Sequence, residues 1–195
     1  MKNQRCDWCG NDPLYVEYHD NEWGVPVFDD AKLFEFLILE TFQAGLSWIT
    51  VLKKRENFRA AFDEFNYKKI ATYNEAKFNE LLNNKGIIRN KLKIKATISN
   101  AIAFMEIQKE FGSFSAYIWK FTNGKPLINK HKTLSEAPAT TALSEIISKD
   151  LKIRGFKFVG STVIYAHMQA TGMVNDHVTT CFRYKEVNQL NIQRK

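Results

Sequence analysis

Apolar residues recur at the spacing of an α-helix along nearly the whole of this chain. No segment shows the strict alternation of apolar and polar residues that marks a half-buried strand. The pattern predicts a compact all-α protein, and 195 residues are enough to bury a sizeable core in one or two domains. Hydrophobic residues make up 45% of the chain, which excludes a disordered protein.

Capping residues and glycines divide this pattern into separate helices. Asp, Asn or Ser before an apolar run supplies an N-cap, and a glycine after the run ends the helix. The predicted helices span residues 29 or 30 to about Ala44, 48–62, 74–86, 94–111, 113–121, 143–154 and 161–171. An irregular stretch at about 122–140 is the one candidate linker, and it is too short to separate two independent domains.

Charge and cysteine content narrow the class of protein. The 28 Lys and Arg residues against 21 Asp and Glu give a formal net charge of +7, which favours a polyanionic partner such as nucleic acid, although many cytosolic proteins are equally basic. An odd number of cysteines argues against a disulfide framework. The most apolar stretch, at residues 33–39, cannot span a bilayer, and no signal peptide is visible. A soluble cytoplasmic protein without a membrane partner is expected.

Two Cys/His pairs lie at opposite ends of the chain, Cys6 with His19 and His177 with Cys181. If the four meet, they form the tetrahedral N2S2 site that Zn²⁺ prefers, and a closed site of this kind is structural and joins the two ends. His177 and Cys181 are four residues apart and share a face if this stretch is helical. Cys9 competes as a ligand, since Cys6 and Cys9 form a C-x2-C knuckle, and free Cys also often behaves as a small buried hydrophobe.

The glycine-bounded turn at residues 155–160 lies between the last two predicted helices. Its backbone N–H groups, together with the helix that begins at Ser161, can bind a DNA phosphate without reading the base sequence. Basic residues near the turn would add affinity by counterion release, and they are Lys149, Lys152, Arg154 and Lys157. A plain helical hairpin with a solvated basic face is the alternative.

Aromatic residues interleaved with polar groups are dense near the N-terminus. The aromatic residues are Trp8, Tyr15, Tyr18, Trp23 and Trp48. Flat rings beside hydrogen-bonding groups suit a nucleobase pocket, although buried aromatic stripes more often form core. Glu40 shares the apolar face of its helix with Leu33 and Leu37, so its carboxylate must be used or paired in a salt bridge. Leu46, between two helices, is either a wedge into a base stack or a loop residue packed on the core.

Together these segments resemble the DNA-3-methyladenine glycosylase I family, within the helix-hairpin-helix glycosylases. The resemblance covers nearly the whole chain and rests on DPLY at 12–15, YHDNEWGVP at 18–26, QAGLSWITVLKKR at 43–55, RGFKFVG at 154–160 and VNDH at 174–177. It implies a helix-hairpin-helix glycosylase fold with the hairpin at about 143–171, in a single unit over residues 1–195 with the pocket between two subdomains. It also implies a monofunctional enzyme of base excision repair that hydrolyses the N-glycosidic bond of 3-methyladenine in alkylated DNA, without AP lyase activity.

The resemblance implies roles for particular residues. Glu40 and Tyr18 are the implied catalytic residues and contact the base edge, and the base-binding aromatic residues are Trp48, Trp8, Tyr15 and Trp23. The implied DNA-binding residues are Gln43, Gly45, Leu46, Lys157, Gly160 and Ser161. The implied ligands of one structural zinc ion are Cys6, His19, His177 and Cys181, which leaves Cys9 as a bystander. Double-stranded DNA with an alkylated purine is the implied partner of a monomer, and free 3-methyladenine is the product.

One string departs from the wider helix-hairpin-helix superfamily. Many relatives carry a catalytic Asp in a Val-Asp-x-His string, whereas this chain has Asn175 there, and Asp176 is expected to point elsewhere. The lysine that makes some relatives AP lyases falls near Thr162, which has no amine. Because N3-methylation makes the purine cationic, the base leaves as a neutral molecule, and extrusion and binding then supply most of the catalysis.

Two other functions stay open on the residues alone. A non-catalytic sensor of alkylated bases could use the same pocket, and turnover of methylated DNA would distinguish an enzyme from it. A zinc-organised protein-interaction module would leave the basic hairpin and the aromatic residues without a purpose, and would show no duplex affinity that falls with salt.

Overall fold

The computed structural model describes residues 4–43 and 45–192, with the side chains of residues 191 and 192 excepted. The predicted helix end at Ala44 therefore lies outside the described residues, as do residues 1–3 and 193–195 of the predicted single unit. That unit over residues 1–195 stays a prediction. In the part of the chain that is described, no helix is long and apolar enough to cross a membrane.

Helices dominate the described residues, as predicted, and two short strands accompany them. The elements are α1 Pro13–Asn21, α2 Asp30–Gln43, α3 Trp48–Leu52, α4 Arg55–Ala61, α5 Tyr67–Ile70, α6 Glu75–Asn83, α7 Lys91–Phe111, α8 Phe114–Lys120, β1 Leu127–Ile128, α9 Ala142–Ile153, α10 Ser161–Ala170, β2 Val174–Asn175 and α11 Phe182–Ile192. The two strands pair in parallel, with Leu127 opposite Val174 and Ile128 opposite Asn175. The expectation of no strand is wrong at these four residues, because two-residue strands are too short to show alternation.

Helix α2 lies at the centre of the fold. Every residue from 33 to 42 is buried, and α2 packs against α3, α7, α8 and α10. A helix that is apolar on all sides is buried in a core, so the two carboxylates within this buried stretch need an explanation. Glu35 is paired, with Arg59 Nη2 at 2.6 Å and Lys32 Nζ at 3.1 Å. Glu40 has no such ion pair among the described residues, and its side chain lines a cavity beside α2.

Two adjacent aspartates fix the beginning of α2. Asp29 is the N-cap, since its Oδ1 accepts a hydrogen bond from Lys32 N at 2.8 Å. Asp30 instead accepts hydrogen bonds from the backbone N–H groups of Phe114 and Ser115, both at 2.8 Å, at the first turn of α8. A carboxylate at a helix N-terminus satisfies otherwise unpaired N–H groups, so Asp30 anchors α2 to α8.

The structure differs from the sequence prediction at several helices. The helix predicted over 48–62 is broken after α3, and the break lets Arg55 bind Glu22 through two hydrogen bonds of 2.7 Å. The sequence does not predict α1, α5 and α11. Helices α1 and α5 are short, with nine and four residues, and α11 buries only Val187 among its residues whose burial is described. For α1 a signal did exist, since Asp12 caps the helix through Leu14 N and Pro13 is its first residue.

Gly172 lies where residues 24–27 cross the end of α10. Its φ is +67°, and a Cβ at this position would lie 2.4 Å from both Pro26 N and Val25 C. Both neighbours are backbone atoms in a segment held to α10 by the bond from Gly24 N to Gln169 O, at 3.1 Å. Only glycine fits here without displacing the backbone.

We expect Gly172→Ala to lower the free energy of unfolding by about 3 kcal/mol or more, because left-handed strain and steric overlap add. Gly112 is the matched control, since its φ is +83° but a Cβ there has no neighbour within 4 Å. Gly112→Ala should cost only about 1–2 kcal/mol, the strain alone. Urea unfolding of both variants measures the difference, and equal losses would contradict the close contact.

Candidate functional site

A cavity of about 200 Å³ opens between the N-terminal segment, α2 and α10. Its lining includes every residue predicted for base binding and catalysis, namely Trp8, Tyr15, Tyr18, Trp23, Glu40 and Trp48. Gln43, predicted to contact DNA, lines it as well. The opposite wall comes from later segments that the sequence did not indicate, and it is formed by Leu134, Ala137, Ala166, Gln169 and Asp176.

The aromatic residues form one continuous wall. The Trp8 ring centroid is 4.9 Å from those of Tyr15 and Trp23, and Tyr18 is 5.5 Å from Trp48. Trp8 Nε1 and Trp48 Nε1 are buried and have no hydrogen-bond partner within the described residues. Buried indole N–H groups normally find a partner, so these two are available to a ligand in the cavity.

Glu40 is the unusual charged group of this cavity. Its side chain is 4% exposed, and Oε2 has no hydrogen-bond partner in the described structure. Burial raises the pKa of this carboxyl to about 8, because the cavity wall solvates its charged form poorly. A buried, unpaired carboxyl with a shifted pKa in a cleft is typical of a functional site. The alternative fate raised from the sequence, a salt bridge, is not seen among the residues that the structure describes.

Tyr18 lies beside Glu40 on the aromatic wall and is 2% exposed. Burial, and then the neighbouring Glu40 and Glu22 carboxyls, raise the pKa of its phenol well above the usual value. The hydroxyl therefore stays protonated over the whole physiological range. It can offer a neutral hydrogen bond to a ligand edge.

The two Cys/His pairs meet in the fold. The four predicted ligands are all buried, and their ligand atoms all lie within 4.8 Å of one another. Cys181 Sγ is 3.5 Å from His19 Nε2 and 3.6 Å from His177 Nδ1, and Cys6 Sγ is 3.6 Å from His177 Nδ1. This buried Cys2His2 group can hold a metal ion that joins the N- and C-terminal segments.

The groups behind the histidines fit a metal site. His19 Nδ1 lies 2.7 Å from Asp20 Oδ1, and His177 Nε2 lies 3.1 Å from the Trp23 carbonyl. Each outer nitrogen can therefore donate its proton, which leaves the inner nitrogen as an acceptor for a metal. A hydrogen bond from Cys6 lowers the pKa of the Cys181 thiol, and the same hydrogen bond, together with burial, raises the pKa of the Cys6 thiol. Without a metal, one proton therefore stays between the two sulfurs, and Cys181 is the one that favours the thiolate.

Cys9 is outside this group, as the resemblance implied. Its thiol is buried and donates to the Cys6 carbonyl at 3.2 Å. The condition under which His177 and Cys181 would share a helical face is not met, because both precede α11 in an irregular loop. The Cys181 N–H instead bonds to Val178 O at 2.8 Å, and this turn brings the two ligands together.

The metal group also supports the aromatic wall of the cavity. The Trp23 ring centroid is 4.6 Å from that of His177, and the Trp8 ring is 5.3 Å from that of His19. Both indoles thus contact the cavity on one side and a predicted metal ligand on the other. The position of this wall depends on the Cys2His2 group.

Helices α9 and α10 form the predicted hairpin, and α7 braces its turn. Lys157 N donates to Asn100 Oδ1 at 2.8 Å, and Asn100 Nδ2 donates to Lys157 O at 3.0 Å. The Lys157 N–H is therefore occupied, and the free donors are those of the first turn of α10, from Ser161 onward. Gly160 is the N-cap, and a Cβ there would meet nothing within 4 Å.

The basic residues near the hairpin are not equivalent. Arg154 is bound to Glu110 at 2.6 Å and to Asp150 at 2.8 Å, so its charge is already compensated. The expectation that Arg154 adds affinity for DNA is not supported by this geometry. Lys157 is exposed at the turn, and Lys149 and Lys152 are exposed along α9.

The loop after α2 connects the cavity to the surface. Gly45 has a φ of +84°, and Leu46 is 42% exposed. This exposure favours the wedge interpretation of Leu46 over packing on the core. Gln43 lies at the junction, since it ends α2, lines the cavity and accepts a hydrogen bond from Leu46 N through its carbonyl.

Asn175 and Asp176 point in opposite directions. Asn175 is fully buried and donates to Tyr184 O at 3.1 Å and to Asn188 Oδ1 at 2.8 Å, which fixes α11. Asp176 lines the cavity, so the expectation that it points elsewhere is wrong. Thr162 lies exposed on the first turn of α10 and is not among the residues that line the cavity.

Comparisons with known proteins agree with this geometry. A model of the methyladenine glycosylase family matches residues 8–184. DNA-3-methyladenine glycosylase 1 of Escherichia coli strain K12 is 51% identical over 181 residues, covering 93% of this chain and 97% of the relative. A crystal structure of a 3-methyladenine DNA glycosylase I matches with a TM-score of 0.90 and 54% identity, over 92% of this chain and 98% of that one. The Staphylococcus aureus 3-methyladenine DNA glycosylase I, solved to explain its recognition of 3-methyladenine, gives a TM-score of 0.89 at 34% identity, over 91% and 95% of the two chains.

Proposed function

Because the chain belongs to the methyladenine glycosylase family, we propose that it hydrolyses the N-glycosidic bond of 3-methyladenine in alkylated double-stranded DNA. The observation that carries the proposal is the unpaired Glu40 carboxyl in an aromatic cavity. A duplex hides its bases in the stack, so the target nucleotide must be extruded into this cavity before it can react. Free 3-methyladenine and an abasic site are then the products.

Recognition of the base combines stacking with a charge. The rings of Trp48 and Trp8 offer faces for an extruded purine, and electron-rich indole attracts a cationic ring. Burial favours the neutral form of Glu40, whereas a cationic base nearby favours its charged form. The carboxylate therefore becomes most useful when the lesion is present. Normal adenine carries no charge and gains little from it.

The positive charge of the methylated base already weakens its bond to the sugar. The electron pair of the C1′–N9 bond leaves with the base, which becomes neutral, and water adds to C1′ and loses its proton to solvent. None of the described residues that line the cavity is a lysine, so nothing there can form a Schiff base with the sugar. This favours a monofunctional glycosylase without AP lyase activity.

We assign zinc to the Cys2His2 group, because two thiolates and two imidazoles are the donors of a structural tetrahedral zinc site. Four protein ligands leave no open position for a substrate. The ion would therefore hold the N-terminal segment with Trp8 against the C-terminal segment. We propose that the protein acts as a monomer, and a location in the cytoplasm stays a prediction from the sequence.

The DNA backbone is proposed to bind at the first turn of α10. The first N–H groups of α10 have no helical partner and no side-chain cap, they lie at the positive end of the helix dipole, and Lys157 is exposed four residues before Ser161. Leu46, exposed on the loop after α2, would enter the gap left in the base stack. Gln43 and Gly45 support this loop at the mouth of the cavity.

We expect Lys157→Ala combined with Gly160→Ala to weaken binding of a duplex with an abasic-site analogue by about tenfold, and to reduce the slope of log affinity against log salt by about 0.9 for a lost phosphate contact. The added methyl at residue 160 blocks close approach of a phosphate but meets no protein atom within 4 Å, so the fold should be kept. Fluorescence anisotropy at several salt concentrations measures both effects. Lys109→Ala, which removes an exposed lysine paired with Glu106, is the control. Unchanged duplex affinity in the double variant would refute the phosphate site.

Turnover separates an enzyme from a sensor that uses the same cavity. The protein is incubated with methylated duplex DNA, and abasic sites and protein–DNA complexes are counted in the same samples. An enzyme converts a molar excess of lesions to abasic sites. Stable binding of methylated duplex without any abasic sites would instead indicate a sensor.

A further inference from the structure

Asp176 is the second carboxyl in the cavity wall, and neither base recognition nor metal binding uses it. It is 5% exposed and lines the same cavity as Glu40. It follows β2, on the side of the cavity that α10 forms with Ala166 and Gln169. A buried carboxylate is costly to a fold unless it is paired or has a function.

Hydrogen-bond donors hold both oxygens of Asp176. Oδ2 accepts from Tyr165 Oη at 2.6 Å and from Gln169 Nε2 at 2.8 Å. Oδ1 accepts from Asn129 Nδ2 at 2.6 Å, whereas His131 Nε2, 3.3 Å away, makes no hydrogen bond to any described residue. An ionised carboxylate only accepts hydrogen bonds, so this set of donors satisfies the charged form and fixes its direction.

The two carboxyls of the cavity therefore have opposite surroundings. Glu40 has an unpaired oxygen on the apolar, aromatic side, whereas Asp176 has partners on both oxygens. Two carboxyls with contrasting surroundings in one site commonly have two different roles. Glu40 is suited to the base, which leaves Asp176 for another part of the nucleotide.

The position of α10 indicates which part that is. The backbone is proposed to bind at Ser161, where α10 begins, and the base to bind against Trp48 and Glu40. Ala166 and Gln169 of α10, together with Asp176, line one side of the cavity. Because the sugar joins the backbone to the base, we place it against this side. Positive charge develops on this sugar when the bond to the base breaks.

We propose that Asp176 faces the sugar of the extruded nucleotide and stabilises the positive charge that forms on C1′ and O4′. The proposal rests on the glycosylase function proposed above. The electron pair of the C1′–N9 bond leaves with the base, water adds its oxygen to C1′, and the proton of that water passes to solvent. Asp176 forms no bond and acts by its charge, which a poorly solvated, preorganised site makes effective.

Two duplexes that differ in one charge test this role. One carries a pyrrolidine abasic-site analogue, which is a cation at the position of the sugar, and the other carries a neutral tetrahydrofuran analogue. The wild-type protein should bind the cationic duplex about tenfold more tightly or better, since a preorganised anion faces the charge. Asp176→Asn should reduce this preference to about 1 and slow single-turnover excision about 100-fold, while its affinity for the tetrahydrofuran duplex is kept.

Two control variants separate the charge of Asp176 from other effects. Tyr165→Phe removes one donor to the carboxylate but not its charge, so it should keep the preference for the cationic duplex. Glu40→Gln should keep it too, because neither duplex carries a base. A preference that Asp176→Asn leaves intact would overturn the proposal.

The buried position of Asp176 calls for a test that does not depend on how a variant folds. A wild-type preference near 1 overturns the proposal by itself. Failure of the underlying function is distinguishable, because the wild-type protein would then release no 3-methyladenine. If 3-methyladenine is released and excision by a folded Asp176→Asn variant proceeds at the wild-type rate, the proposal for Asp176 alone is wrong.

Discussion

Replacing Glu40 with Gln is expected to make the protein more stable and inactive at the same time. Burial raises the pKa of Glu40 from an ordinary 4.5 to about 8. In the unfolded chain this carboxyl ionises near its ordinary pKa, whereas in the folded protein it stays neutral until about pH 8. The free energy of unfolding of the wild-type protein is therefore highest below about pH 4. It falls by about 4 kcal/mol as the pH rises from the ordinary pKa of 4.5 to the folded-state pKa of about 8.

An amide side chain cannot ionise, so the Glu40→Gln variant escapes this loss. We expect the gain in unfolding free energy over wild type to be near zero at pH 4 and to approach about 4 kcal/mol at pH 8. Urea unfolding at pH 4, 6 and 8 measures it. Glu35→Gln is the matched control on the same helix, and it should be destabilised, because Arg59 loses its buried partner and keeps only the exposed Glu56. A Glu40→Gln difference that does not change with pH would contradict the unpaired, buried carboxyl.

The same variant should lose at least about 100-fold in the rate of excision, because the charge that recognises the cationic base is absent. Single-turnover release from methylated duplex measures this rate. The opposite signs of the two effects are informative, since a damaged fold would lower both stability and activity. Excision at the wild-type rate would remove Glu40 from the mechanism.

The second large effect is expected at the Cys2His2 group. Cys181→Ser should release the metal and lower the free energy of unfolding by several kcal/mol, on the order of 4 or more, because metal binding contributes directly to folding. Cys9→Ser is the matched control, since Cys9 is also a buried thiol but lies outside the group of four. It should keep the metal and leave the melting temperature nearly unchanged.

Elemental analysis and thermal unfolding, each with and without a chelator, measure these outcomes. Because Trp8 and Trp23 contact the histidines of this group, Cys181→Ser should also bind free 3-methyladenine more weakly. One metal ion per chain in the Cys181→Ser protein would disprove the assignment of this ligand. Loss of the ion in Cys9→Ser would show that Cys9 had been wrongly set aside.

The fold could be predicted where local signals are strong. Asn74 caps α6 through Lys77 N, and Gly112 ends α7 with a φ of +83°, as their residue types indicate. Helix α11 could not be found, because Val187 is its one buried residue among those whose burial is described. The break between α3 and α4 is accompanied by the pairing of Arg55 with Glu22, a contact between residues 33 positions apart. Periodicity carries no information about such contacts.

Some residues of the candidate site could likewise be predicted from the sequence, and others could not. Glu40 and the Cys/His pairs could be identified from residue type, since a carboxylate on an apolar face and clustered metal ligands are uncommon. The direction of Asp176 could not, because it depends on the pairing of β2 with β1. This pairing places Asn175 with its side chain against α11, and Asp176, the residue that follows the strand, lines the cavity. The pairing of Arg154 with Glu110 could not be predicted either, because the two residues are 44 positions apart in the chain.

The central claim is that this cavity releases 3-methyladenine, and mass spectrometry of the bases freed from methylated duplex DNA tests it most directly. The wild-type protein should release 3-methyladenine and leave the strand uncut at the resulting abasic site. The Glu40→Gln protein should bind the same duplex and release almost none. No free base from the wild-type protein, or equal release by the two proteins, would contradict the account.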